Sequence, residues 1–161
     1  MITKNEFLEL IKPHEPCQEG LNLVARCEDM EEVFKKLSNN EWTWLLKYLP
    51  QFAEHCDWSK LGGWDWSWLL GGQPQFAEHC DWSLLCGWGW FRLLKSQPQF
   101  ARHCDWRLLN GYGSSRLFAQ QPQCAEHCDY WDRLDNFDWY WLLSRQPQFQ
   151  KYKDKHYDNK S

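Results

Sequence analysis

The 161-residue chain has no run of about 18 apolar residues, so no membrane-spanning helix is expected. Its first residues, Met-Ile-Thr-Lys-Asn-Glu, lack the apolar core of a signal peptide. Basic residues are in deficit, 18 Lys and Arg against 22 Asp and Glu, giving a net charge of -4 and a pI near 5.8. A generic polyanion binder is usually basic, so this balance disfavours nucleic acid as a bulk partner. Nor is there an acidic block that would mimic DNA. A Gly-rich phosphate loop, a Ser-His-Asp arrangement and a paired-carboxylate signature are all missing. These absences lead to the expectation of a cytoplasmic protein with no membrane contact, no cofactor, no metal and no catalytic residue.

What the chain has in excess is tryptophan, 13 residues, most of them inside sequence repeats that are marked by one recurring stretch. Pro-Gln-Phe-Ala-Glu-His-Cys-Asp-Trp runs from Pro50 to Trp58 and returns at Pro74 to Trp82. It returns with small changes at Pro98 to Trp106 and at Pro122 to Tyr130. The four prolines are 24 residues apart, and a truncated fifth copy starts at Pro147 after a spacing of 25. A fixed period of this size is the signature of a solenoid, whose units cannot bury an apolar face alone.

Each unit divides into two elements. Helix A begins near Asn40–Glu41, and Glu41 to Leu46 matches Asp65 to Leu70, Gly89 to Leu94, Gly113 to Phe118 and Asp138 to Leu143. Trp66, Leu69 and Leu70 fall at i, i+3 and i+4, the core stripe of a helix. The second element, helix B, opens at Pro74, since proline suits a first helical turn. Phe76, Ala77 and Cys80 share one of its faces. Asp81 to Leu85 reads as a short 3₁₀ turn capped by Asp81. Gly63, Gly87 and Gly111 are expected to supply backbone freedom for the return into helix A. One extra residue near Tyr130–Trp131 predicts a local bulge.

Residues 1–40 stand outside the clean repeats and read as a helical cap. Thr3 and Glu6 form a capping box for a helix to about Lys12, ended by Pro13. Further helices are expected over Gln18–Cys27 and Asp29–Leu37. Residues 41–149 form the repeat solenoid of four to five units, and 150–161 a charged tail, frayed beyond a short helical start. The expected fold is all-α, a short right-handed helical solenoid of two-element repeats. A rival exists: Ala53, Cys56, Trp58 and Leu61 have the 1-4-6-9 spacing of a leucine-rich-repeat strand, which would build a parallel β horseshoe.

Through Gln73-Pro74-Gln75-Phe76-Ala77, Cys80-Asp81-Trp82 and Leu85, residues 41–149 resemble bacterial and phage proteins with tandem QPQFA..CDW..L units. The pattern of helix plus short turn also resembles the leucine-rich-repeat variant class, a right-handed stack of α and 3₁₀ helices. The second resemblance implies an all-α solenoid. Neither implies an activity.

Eight cysteines raise the question of disulfides. Cys56, Cys80, Cys104 and Cys128 share one position of the period. Stacked helices lie roughly 8–10 Å apart, whereas a disulfide needs Cα atoms within about 7 Å. The ladder is therefore expected to be reduced and to pack as small apolar residues. Adjacent His-Cys pairs such as His79-Cys80 diverge by about 100° on a helix and chelate poorly. Cys124, His127 and Cys128 are better spaced for a metal but occur once. A Cys-His nucleophile is the enzyme alternative; four near-identical copies argue against a singular active site.

The signal that points to function is contrast within helix A. The positions of Trp66, Leu69 and Leu70 stay largely apolar, while those of Ser67, Trp68, Gly71 and Gly72 change from unit to unit. On the helical wheel those four lie opposite the core stripe. They are expected to form an outer surface carrying Trp44, Lys47, Tyr48, Trp68, Phe91, Arg92, Lys95, Arg116, Tyr140, Trp141 and Arg145. Exposed Trp, Tyr and Arg are what binding hot spots use. The competing reading is that these rings clad the next repeat. The leading expectation is a non-enzymatic interaction protein with a protein partner, an antagonist of a defence enzyme such as a CRISPR nuclease or of a toxin. The alternative is a sequestrant of a nucleotide or single-stranded nucleic acid, stacking bases on aromatics beside Arg92 and Arg116. Oligomeric state is left open.

Overall fold

The structure is a computed structural model describing residues 2–158, with side chains described for 2–155. It is an all-α repeat fold, with no strand among the described residues. The β horseshoe is thereby excluded: the segments proposed as strands are 3₁₀ turns. The chain divides into two compact units, Met1–Cys80 and Asp81–Ser161, a boundary inside the stretch expected to be one solenoid.

In the first unit, α1 (Lys4–Ile11) starts at the Thr3–Glu6 capping box and gives way to a 3₁₀ turn at Lys12–His14, where Pro13 denies the α-helix a donor. α2 (Gln18–Arg26) and α3 (Met30–Lys36) follow, the latter capped by Asp29. α4 (Asn39–Tyr48) is the first repeat helix, with Ser38 and Glu41 as its capping box, and α5 (Gly63–Gly72) is the second. In the second unit the repeat helices are α6 (Gly87–Ser96), α7 (Gly111–Gln120) and α8 (Asn136–Arg145). α9 (Gln150–Asp158) extends well past the short helical start expected of the tail; residues 159–161 lie outside the described residues.

Helix B requires a correction. Pro50–His55, Pro74–His79, Pro98–His103 and Pro122–His127 are 3₁₀, not α. The residue before each proline is extended in φ, near -131° or -132°, as the proline ring demands. Six residues at the tighter 3₁₀ rise then reach the next turn. In the first three copies the second 3₁₀ turn opens on an aspartate: Asp57, Asp81 and Asp105 accept from the backbone N–H two residues on, as expected of a cap. Those hydrogen bonds, with the Ser59, Ser83 and Arg107 side chains contributing most, hold the three carboxyls below the ordinary carboxylate range.

The core is a series of ring sandwiches. Trp58 lies between Trp66, at 5.6 Å and 17°, and His79, at 4.3 Å and 8°. Trp82 lies between Trp90, at 5.5 Å and 15°, and His103, at 4.5 Å and 3°. The recurring histidine is thus the lid on the tryptophan of the preceding copy. The same arrangement holds at both ends with other residues. Phe34, 24 positions before Trp58, lies between Trp42 and His55. Trp131 lies between Trp139 and Tyr152, which stands where the fifth copy would carry its histidine. The repeat register therefore reaches back into α3 and forward into α9, beyond the expected limits of 41 and 149.

Trp131, not Tyr130, is the fourth copy's core tryptophan; Tyr130 is the inserted residue. It displaces Asp129 from the cap position, and this turn has no side-chain cap.

Hydrogen bonds tie the copies together as well. The first glutamine of three Gln-Pro-Gln motifs donates its amide to the end of the preceding helix. Gln73 Nε2 reaches the Lys47 carbonyl at 2.7 Å, Gln121 that of Lys95 at 2.8 Å, and Gln146 that of Ala119 at 3.0 Å. The second glutamine braces the first, Gln75 Nε2 donating to Gln73 Oε1 at 2.6 Å. The first copy has Leu49 instead, buried, because no repeat helix precedes it.

Glycines at the helix starts act differently from expectation. No glycine among the described residues has positive φ. At Gly87 a Cβ would overlap the Leu108 carbonyl oxygen, and at Gly111 that of Arg133. They are small because the next copy's turn packs directly on them. Gly72 has nothing within 4 Å of such a Cβ. Gly87→Ala is expected to lower stability by about 2 kcal/mol through overpacking, while Gly72→Ala raises it by a few tenths to about 1 kcal/mol through helix propensity. Urea unfolding midpoints at unchanged m-value measure both.

Candidate functional surface

Residues expected to face outward divide by position. At the Trp68 position, Trp68 is exposed, whereas Trp44, Arg92, Arg116 and Trp141 are half-buried. At the Ser67 position, Ser67 and Ser115 are buried, Phe91 is half-buried and Tyr140 is exposed. Ser67 was expected outside. Its hydroxyl instead donates to the Trp64 carbonyl of its own helix at 2.8 Å. Lys47, Tyr48, Lys95 and Arg145 are exposed. The half-buried rings and guanidiniums are partly cladding.

In the first unit, α4 and α5 enclose a groove of about 220 Å3 that brings together Trp44, Lys47 and Trp68 with Thr43 and Trp64. Tyr48 lies beside it, its ring 5.5 Å from Trp44 and stacked on His14 at 4.8 Å. Lys47 Nζ lies 4.7 Å from the Tyr48 ring and donates to its hydroxyl at 3.1 Å.

In the second unit, α6 and α7 enclose a groove of about 250 Å3 lined by Phe91 with Trp88, Leu108 and Tyr112. From Tyr112 a stack of alternating rings and guanidiniums leads to α8. Arg116 lies 4.6 Å from the Tyr112 ring and 3.5 Å from that of Trp141, and Arg145 covers Trp141 at 4.0 Å. Both guanidiniums are thus held flat by aromatic faces. α6, α7 and α8 carry Arg92, Lys95, Arg116 and Arg145 with one acid, Asp138, which is buried and accepts from Ser115 Oγ at 3.3 Å. The outer side of these helices is basic in an otherwise acidic chain.

A recurring exposed position was missed from sequence. The second residue of the repeat helix is aromatic in four copies, and every one is exposed: Trp64 57%, Trp88 68%, Tyr112 56% and Phe137 64%. Two positions on, Trp66, Trp90 and Trp139 are fully buried. The signal was present. A recurring aromatic two residues before the core tryptophan lies about 200° round the helix from it, so it is held outside as regularly as the other is held inside.

The cysteine ladder offers little reactive chemistry. All eight thiols are free; Cys17 and Cys86 are exposed, Cys56, Cys80 and Cys104 half-buried, and Cys27, Cys124 and Cys128 buried. The ladder was expected to be buried throughout; only Cys128 fully is. Burial pushes the Cys56 thiol up to about 12 and those of Cys124 and Cys128 to about 11, and raises Cys104 further. A thiol held protonated is a poor nucleophile and a poor ligand. Among the described residues no three His, Cys, Asp or Glu side chains converge as a metal site, and His127 is exposed while Cys124 and Cys128 are buried. Nor, among them, is any helix long and apolar enough to cross a membrane. No family model, curated protein or solved structure matches this chain.

At pH 8, a thiol-alkylating reagent should modify Cys17 and Cys86 well before Cys56, Cys124 and Cys128, as mass spectrometry of timed samples would record. Because the folded Cys56 thiol keeps its proton to about 12 while an unfolded thiol ionises near 9.0, the native state binds more protons between those values. Its stabilising contribution is complete below 9.0 and is lost as pH rises through that window, so the thermal midpoint should fall there; Cys56→Ala should flatten the fall.

Proposed function

We propose that this chain is a non-enzymatic repeat protein that grips a protein partner with its exposed helix-start aromatics and the variable side chains beside them. One observation carries the reading. The same helices bury Trp66, Trp90 and Trp139 completely while leaving Trp64, Trp88, Tyr112 and Phe137 more than half in water. A chain that needed these rings only for packing has no reason to hold them outside at every copy. Large rings bordered by arginine are the composition of binding hot spots, and variation at Trp44, Trp68, Arg92, Arg116 and Trp141 within a constant frame suits recognition of one particular surface.

The antagonist role belongs to this proposal. A small chain with many exposed rings and ionisation-resistant thiols is suited to occupying another protein's surface, such as that of a defence nuclease or a toxin. The resemblance to bacterial and phage repeat proteins is consistent with that setting.

The reading as a nucleotide or single-strand sequestrant has a specific observation in its favour, the basic side of α6, α7 and α8. The ring stack weighs against it, because Arg116 and Arg145 already lie over the Trp141 ring, 3.5 and 4.0 Å from its centre, where a base would have to stack. Guanidiniums suit carboxylates, which they bind in bidentate fashion.

Affinity capture from a bacterial lysate with wild type and with a Trp88→Ser/Tyr112→Ser/Phe137→Ser variant tests the proposal. A specific protein should be retained by wild type and lost by the variant, whose circular dichroism stays helical. Equal capture by both, or tighter binding of a dT oligonucleotide than of any protein, would overturn it.

A further inference from the structure

The amino-terminal helices leave a half-open apolar cavity of about 320 Å3 against α4. Its walls include Phe7, Ile11, Val24 and Leu45, all buried. Its lining contains two carboxylates, Glu15 and Glu41, and neither lysine nor arginine. Small-molecule sites begin near this size, at about 300 Å3. An engineered apolar cavity of about 150 Å3 already holds benzene, so there is room here for a ring and a short arm.

Two details mark the rim as more than loose packing. Glu15 has φ 53° and ψ 61°, and it is the one non-glycine residue with positive φ among the described residues. That conformation costs a residue with a Cβ about 1–2 kcal/mol, and such strain collects at ligand clamps. Gly20 lies inside α2, where glycine is about 1 kcal/mol worse than alanine. Nothing forces it to be small: a Cβ there would stand 3.5 Å from Cys17 Sγ and 3.8 Å from Glu41 Oε1, ordinary contacts. A glycine kept where alanine would fit keeps the cavity wall open. Glu41 uses Oε2 to cap Ser38, at 2.8 Å from its backbone N and 2.7 Å from its hydroxyl, which leaves Oε1 at the Gly20 wall.

We propose that this cavity binds a small apolar molecule bearing a cationic amine, its hydrocarbon on Phe7, Ile11, Val24 and Leu45 and its ammonium at Glu15 and Glu41. Burial of a hydrocarbon explains the walls but not the sign of the rim. An anionic analogue meets two carboxylates and no cation. The proposal does not rest on the partner-binding reading, with which the cavity lining shares only Trp44.

Isothermal titration calorimetry of the full chain with 2-phenylethylamine, 2-phenylethanol and 3-phenylpropionate tests it. The amine should bind about tenfold more tightly than the alcohol, and the carboxylate should be weakest; tenfold corresponds to about 1.4 kcal/mol. Gly20→Leu, which fills the cavity, should lose amine binding while its thermal midpoint equals or exceeds that of wild type. Glu15→Gln, on an exposed turn, should narrow the amine's advantage over the alcohol, and it carries the test if Gly20→Leu folds poorly. Absence of amine binding at millimolar concentration, a carboxylate bound as tightly as the amine, or unchanged amine affinity in both variants would overturn the proposal.

Discussion

The fold depends on aromatic columns in which one ring, Phe34, Trp58, Trp82 or Trp131, is stacked between two others. Trp58 and Trp82 are each pressed between a helix tryptophan of their own copy's successor helix and the histidine that follows it. Aromatic pairs of this kind contribute about 0.5–1.5 kcal/mol beyond the area they bury. The sandwich also sets the distance between neighbouring copies, since three rings in a column leave no slack. The polar end of the indole contributes little: Trp42, Trp90 and Trp139 bury their Nε1 without an acceptor. Leaving a buried donor unpaired costs roughly 1–3 kcal/mol, so these rings are held for area and shape.

The fourth copy shows how the core adapts. Ser114 stands where the others have tryptophan, and Cys124 where they have phenylalanine. Phe118, which replaces leucine, offsets part of the loss and reaches Trp106 at 5.6 Å, Trp131 at 5.0 Å and Phe149 at 6.0 Å. Trp106 is more buried than Trp58 or Trp82.

Much of this was legible from residues alone. The period, the core stripe Trp66, Leu69 and Leu70, the Thr3–Glu6 box and the aspartate caps all follow from local rules. The 3₁₀ character of Pro74–His79 did not, because an apolar i, i+3 pair fits α and 3₁₀ geometry alike. Gly87 and Gly111 misled for a related reason: a sequence shows that glycine is required, but a twisted backbone and a close neighbour both require it. The role of His79 and His103 depends on a ring in another copy and has no local trace. Among the outward residues, single-helix periodicity placed Trp68 correctly and Ser67 wrongly, since a serine hydroxyl that bonds to the Trp64 carbonyl of its own helix needs no water.

The glutamine link between copies has a consequence for how such a chain changes length. Gln73, Gln121 and Gln146 each address a backbone carbonyl of the helix before, and a carbonyl is present whatever residue occupies that place. The joint therefore ignores the identity of the copy it grips. A gene encoding this protein can lose or duplicate one block of 24 codons and still produce matching joints, provided Leu49 stays first and Tyr152 stays last. Lengthening adds surface without redesigning an interior, and each added block arrives free to diverge on its outer side.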